Sequence, residues 1–117
     1  VYYANYLRYF EIGRTEMLRA AGIELEEFHN QSVIFEVASV EINYKFSAHY
    51  NDILTVCSLL ADYTRKTFSI YNEIYNPAGR LIVTGMTKCA CVNATDGRLI
   101  TIPAKILETF DKLSNNQ

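Results

Sequence analysis

The sequence has no large excess of charge of either sign: eleven Lys and Arg against thirteen Asp and Glu leave a formal net charge of −2. A chain this balanced offers little to a phosphate backbone or an anionic lipid surface, so neither is expected as a partner. No apolar run approaches the ~20 residues that a bilayer-spanning helix needs. No signal-peptide pattern precedes the first motif. Cysteine is scarce: Cys57, Cys89 and Cys91 are the only three. An odd, sparse set is not a disulfide framework and is expected of a reducing cytoplasm. Cys89 and Cys91 form a C-x-C pair in a predicted strand, which puts both thiols on one face. A zinc or redox role wants Cys or His neighbours, and His29 and His49 are far off in sequence. A core role is therefore expected for the pair, and no metal. There is no internal repeat, low-complexity tract or Gly/Ser/Pro-rich linker, and the length fits one domain over residues 1–117.

What is present is patterned. Half of the residues are apolar, and they change period along the chain. From Asn5 to Ala21, Tyr6, Tyr9, Phe10, Gly13, Met17 and Ala20 recur at spacings of three and four, which predicts an amphipathic helix. Arg8, Glu11, Thr15 and Arg19 fall on its polar side. Asn5 is a candidate cap, and Gly22 a natural stop because it tolerates positive φ. Gly13 costs a helix about 1 kcal/mol against alanine, so a closely passing backbone is expected there. After a polar stretch from Glu24 to Ser32 the period becomes two. Phe35 and Val37 flank Glu36, then Val40, Ile42, Tyr44 and Phe46 alternate with polar residues. The phase slips at Ala38-Ser39, which predicts a β-bulge. Further strands are predicted over Leu54–Tyr63, from Phe68 to Tyr75 and over Leu81–Val92, with an Asn76-Pro77-Ala78-Gly79 hairpin turn. Gly85 predicts a bend or a close approach. Ile102-Pro103 opens a last short helix. One helix followed by four antiparallel strands is an α+β plan, whose free sheet edges favour dimerisation.

The string Val1-Tyr2-Tyr3-Ala4-Asn5-Tyr6-Leu7, followed by Phe10-Glu11 and Arg14-Thr15-Glu16, resembles the signature of the 4-hydroxybenzoyl-CoA thioesterase family, and within it the YbgC-like acyl-CoA thioesterases. The resemblance continues through Val40 to Phe46, Asp52-x-Leu54-x-Val56, Arg65 to Phe68, the Asn76-to-Gly79 turn, Thr84-Gly85-x-Thr87 and Asp96-Gly97-Arg98. Each motif is weak alone; their order and spacing together are specific. The resemblance implies a hotdog fold, a long central helix wrapped by a curved antiparallel sheet, acting as a homodimer or homotetramer. It also implies a first strand and a connection of the form Asp-x-x-Gly-Val-Val-Tyr ahead of the helix. This sequence opens at the final Val-Tyr of that pattern, so the strand and its Asp are expected upstream of Val1.

The activity implied is hydrolysis of an acyl-CoA to free acid and coenzyme A, with no cofactor beyond the coenzyme A of the substrate. Such chemistry needs a group that activates water or attacks the carbonyl, and donors aimed at the developing oxyanion. The upstream Asp would fill the first role. By resemblance the backbone N–H of Tyr3 fills the second, at a helix N-terminus where the dipole favours an anion. Many YbgC-like members carry His at Tyr3, and a tyrosine of ordinary pKa ~10 is no base near neutrality. Its side chain takes part in proton movement or simply lines the acyl pocket. Asn5 orients the catalytic loop or caps the helix. Tyr2 and Tyr6 border the thioester, or Tyr6 belongs to the core. Glu11 is a substitute base or an ordinary surface acid. Arg65, Lys66 and Thr67 hold the nucleotide phosphates or form a solvated hairpin, with Lys88 and Arg98 as weaker candidates. Two other readings are an acyl-carrier-protein thioesterase and a non-catalytic helix-on-sheet binding module.

Overall fold

The computed structural model describes residues 3–49 and 51–115, without the side chains of Tyr3 and Ala4. Helix α1 runs over Tyr3–Ala20 and a short α2 over Leu25–His29. Strands β1 (Val33–Tyr44), β2 (Thr55–Tyr63), β3 (Thr67–Tyr75) and β4 (Leu81–Asn93) follow, then α3 (Ala104–Asn115). All strand pairs are antiparallel and the order is β1-β4-β3-β2, so β1 and β2 are the edges.

The period-two pattern sorts side chains as expected. Ile42, Gly85, Asn72 and Ser58 form one cross-strand row, and Val40, Thr87, Ile70 and Leu60 form the next. Both rows face α1, because a Cβ built on Gly13 meets Ser58 and Val56, and one on Gly85 meets the Phe10 ring. The opposite face carries Glu41, Met86, Tyr71 and Leu59 in register. The predicted bulge is real: pairing slips between Val37 and Ser39, leaving Ala38 as the extra residue. A second slip between Leu60 and Asp62 was not anticipated. Each bulge reverses the phase of the strand, so that Val37 and Val40, or Leu60 and Tyr63, stand on one face.

The core divides in two beneath the helix. Tyr6 and Phe10 pack with Ile74, Ile82 and Val83 near the start of α1. Leu18, Ile23 and Phe28 join Phe68, Ile70, Cys89 and Cys91 near its end, where Phe110 of α3 lies against Phe68 and Tyr63. Cys89 and Cys91 are thus core residues, both fully covered.

Four readings change. The helix begins at Tyr3, so Asn5 lies inside its first turn rather than at its cap. The stripe ends on Leu18, which is buried, and Ala20 is exposed. Residues 25–29, within the polar stretch where no element is predicted, form α2, seated by the single buried Phe28. Gly13 does permit a close approach, but of the Ser58 hydroxyl and a Val56 methyl rather than of backbone.

Candidate active site

Tyr3 is the first residue of α1, so its N–H is among the first-turn donors that the helix itself leaves unused. Tyr2 lies outside the described residues, as does the side chain of Tyr3. Asn5 is exposed on the first turn. Tyr6 is 4 % exposed, edge-on to Tyr9 and tilted against Tyr44. Burial first, and then Tyr44 and Tyr9, push its phenol above the ordinary tyrosine range. These positions put the start of α1 above the row of Tyr44, Val83, Ile74 and Val56.

Arg65 and Lys66 lie at the other end of the sheet. Both are exposed in the β2–β3 turn, where the Arg65 carbonyl accepts from Ile102 N–H and the Lys66 carbonyl from Cys91 N–H. Thr67 opens β3, its hydroxyl 2.8 Å from that of Thr64. Phe68 and Ile74 are six residues apart on β3, roughly 20 Å at ~3.4 Å per residue. Within one chain the structure therefore does not bring the helix start and the Arg65-Lys66 turn together.

Between α1 and β1 it forms something that the sequence did not single out. Helix α1 lies mainly over β2 and β3. Tyr44 and Ile42 of β1 still reach Tyr6 and its cluster, but Val37 and Val40 on the same side of β1 stay exposed. A pocket of about 210 Å³ opens there, walled by Leu7 and Phe10 of α1 and Val37 and Val40 of β1. Glu11 and Arg14 from the helix and Thr87 from β4 complete it. Residues 7, 10, 11 and 14 lie on one helix face by their i, i+3, i+4, i+7 spacing. Gly85 lets the Phe10 ring sit directly on β4, as the expectation of a close approach there required. Thr87 is 2 % exposed, and its hydroxyl has no hydrogen-bond partner. Strand parity alone (Val83, Gly85, Thr87, Cys89) would have turned Thr87 inward. Glu11 stands exposed at the pocket's edge, and Arg14 is half-buried.

Other candidates fall elsewhere. Lys88 and Arg98 are exposed on β4 and in the following turn. His29 ends α2, and His49 sits in a turn where Asp52 accepts from its N–H at 2.9 Å. Among the described residues no helix is long and apolar enough to cross a membrane.

Comparison with known proteins agrees with this architecture. Residues 1–110 match the model of the thioesterase-like superfamily. The candidate acyl-CoA thioesterase YneP of Bacillus subtilis is 35% identical over 94 residues, covering 80% of this chain and 67% of YneP. The acyl-CoA thioesterase YbgC of Haemophilus influenzae is 25% identical over 97% of this chain and 83% of its own. A DHNA-CoA thioesterase from Staphylococcus aureus superposes with a TM-score of 0.94 at 26% identity, covering 99% of this chain and 81% of the other. A long helix starting inside the Val1–Leu7 motif and packed on a four-stranded antiparallel sheet is the hotdog arrangement, and this chain belongs to the thioesterase-like superfamily.

Proposed function

We propose that this protein hydrolyses acyl-CoA thioesters. Water adds to the thioester carbonyl, the C–S bond breaks, and free acid and coenzyme A leave. The observation that carries the reading is the start of α1 at Tyr3, within the motif that resembles the acyl-CoA thioesterase signature, in a chain whose relatives include acyl-CoA thioesterases. The first-turn N–H groups and the helix dipole are suited to the oxyanion of the tetrahedral intermediate, where one donor is typically worth about 2.7–4 kcal/mol. Hydrolysis is redox-neutral and asks for no cofactor beyond the coenzyme A of the substrate. Three free thiols, Cys57, Cys89 and Cys91, support a reducing compartment, the cytoplasm.

The working unit we propose is a homodimer or homotetramer. Strand β1 is a long free edge whose helix-facing Val37 and Val40 are 52 % and 41 % exposed. Monomeric proteins seldom leave such an edge open. A second copy paired edge to edge with β1 by a twofold axis perpendicular to the strand would reverse the strand direction and bring its Arg65-Lys66 turn towards the first copy's helix start. That placement supports Arg65, Lys66 and Thr67 as the phosphate-binding end of the site.

Thiol release by the purified protein from short, long and aromatic acyl-CoAs tests the reading; no release above background from any of them overturns it. Glu11→Gln assigns the activating carboxylate. A loss of about a thousandfold or more in kcat makes Glu11 the base, whereas retention of most activity assigns the role to the Asp that the resemblance places before Val1.

A further inference from the structure

Arg14 and Thr87 are two polar groups in an apolar pocket, and neither is used by the fold. Among the described residues the ion pairs are Arg19 with Glu16 and Lys105 with Glu27, so within one chain the half-buried Arg14 guanidinium has no carboxylate. Its charge reaches the helix-facing side of the sheet, since it offsets part of the effect of burial on the Cys89 thiol. The Thr87 hydroxyl is fully covered and unpaired. A buried donor without a partner costs about 1–3 kcal/mol, so such a group calls for an explanation beyond packing.

The two groups have compatible chemistry. A guanidinium can only donate hydrogen bonds, and a threonine hydroxyl can donate one, so together they ask for an oxygen acceptor. The charge on Arg14 favours an anion, and its planar fork suits a carboxylate. Glu11, the other titratable group on the helix wall, is more exposed than Arg14 and lies one turn nearer the helix start. Of the two charges on the helix wall, the more covered one is therefore positive.

We propose that this pocket selects acyl groups whose far end carries a carboxylate, bound by Arg14 and the Thr87 hydroxyl; this rests on the thioesterase reading above. Arg14 lies eleven residues along α1 from Tyr3, about 16 Å at ~1.5 Å per residue, and helical side chains point back towards the N-terminus. The remaining span suits a medium-length chain. A volume of about 210 Å³ is below the ~300–1,000 Å³ of larger ligand sites.

The test compares octanoyl-CoA with 7-carboxyheptanoyl-CoA, which share one eight-carbon backbone. Wild type is expected to favour the carboxylated substrate in kcat/KM. Arg14→Gln and Thr87→Val should each lower the ratio of the two kcat/KM values at least tenfold. A second readout does not depend on turnover. Free octanedioate should raise the Tm of the wild type more than octanoate does, and either substitution should abolish the difference. Thr87→Val should fold well, because it removes a hydroxyl that bonds to nothing in the protein. Equal ratios and equal Tm shifts in wild type and variants overturn the proposal, as does an equal preference for 8-hydroxyoctanoyl-CoA, which would mark a neutral polar end. Thiol release without the ratio change refutes only this inference; absence of all release refutes the hydrolase reading and leaves the Tm comparison to judge the pocket.

Discussion

Gly13 shows how one missing side chain sets the distance between a helix and a sheet. On helix propensity alone Gly13→Ala would gain about 1 kcal/mol. The added Cβ would instead meet the Ser58 hydroxyl and lie 2.8 Å from a Val56 methyl. We expect a net loss of about 1–3 kcal/mol in denaturant unfolding, as for other overpacked sites. Adding Ser58→Ala should recover part of it, a non-additivity that a double-mutant cycle will measure. Cys91 gives a pH signature at the same scale. Burial pushes its thiol up to about 11 from an ordinary 9. Below pH 9 the thiol is protonated in both folded and unfolded chains, and its contribution to stability is intact. Between 9 and about 11 the unfolded chain loses the proton first, so stability falls as pH rises through that window. Melts from pH 8 to 11 should show this, and Cys91→Ala should flatten the slope. At pH 8 the exposed Cys57 should alkylate while Cys89 and Cys91 stay protected until unfolding.

Short elements depend on single anchors. Helix α2 has five residues, and Phe28 is its only buried side chain. A helix of that length has no stability of its own in water. Phe28→Ala should cost about 3 kcal/mol and raise amide exchange over residues 25–30 beyond the rest of the chain. Periodicity could not find this helix, because five residues hold barely more than one turn and the stretch is rich in Glu. The bulge in β1, by contrast, was readable at Ala38-Ser39, since a slip of phase is the mark that an extra residue leaves on an alternating strand. The bulge in β2 left no such mark. Its flanking residues, Leu60, Ala61 and Asp62, do not alternate strongly enough to show a change of face.

For the whole molecule, the free edge of β1 makes self-association the controlling variable. If two copies join there, apparent stability depends on protein concentration by mass action. A tenfold dilution in the micromolar range should lower Tm by a few degrees, and sedimentation should report a dimer or tetramer. A concentration-independent Tm with a monomer in sedimentation would contradict the proposed working unit. Val37→Lys, which puts a charge beside the bulge on that edge, should shift the population towards monomer.

Sequence by itself determined the long helix, the four strands and the last helix, and the facing of most of their side chains outside the β2 bulge, because helix and strand periods are local and each residue's face follows from its neighbours. It carried the order of motifs that marks the family, and it marked Gly13 and Gly85 as points of close approach. Only the tertiary structure decided what those points meet, namely Ser58 with Val56, and Phe10. It also decided where α1 lies across the sheet. A period tells which helix face is buried but not which strands it covers, so the exposure of Val37 and Val40 on β1, and with it the pocket of Glu11, Arg14 and Thr87, could not be read in advance. The separation of Arg65-Lys66 from the start of α1 is of the same kind, set by strand register over a distance that no local pattern records.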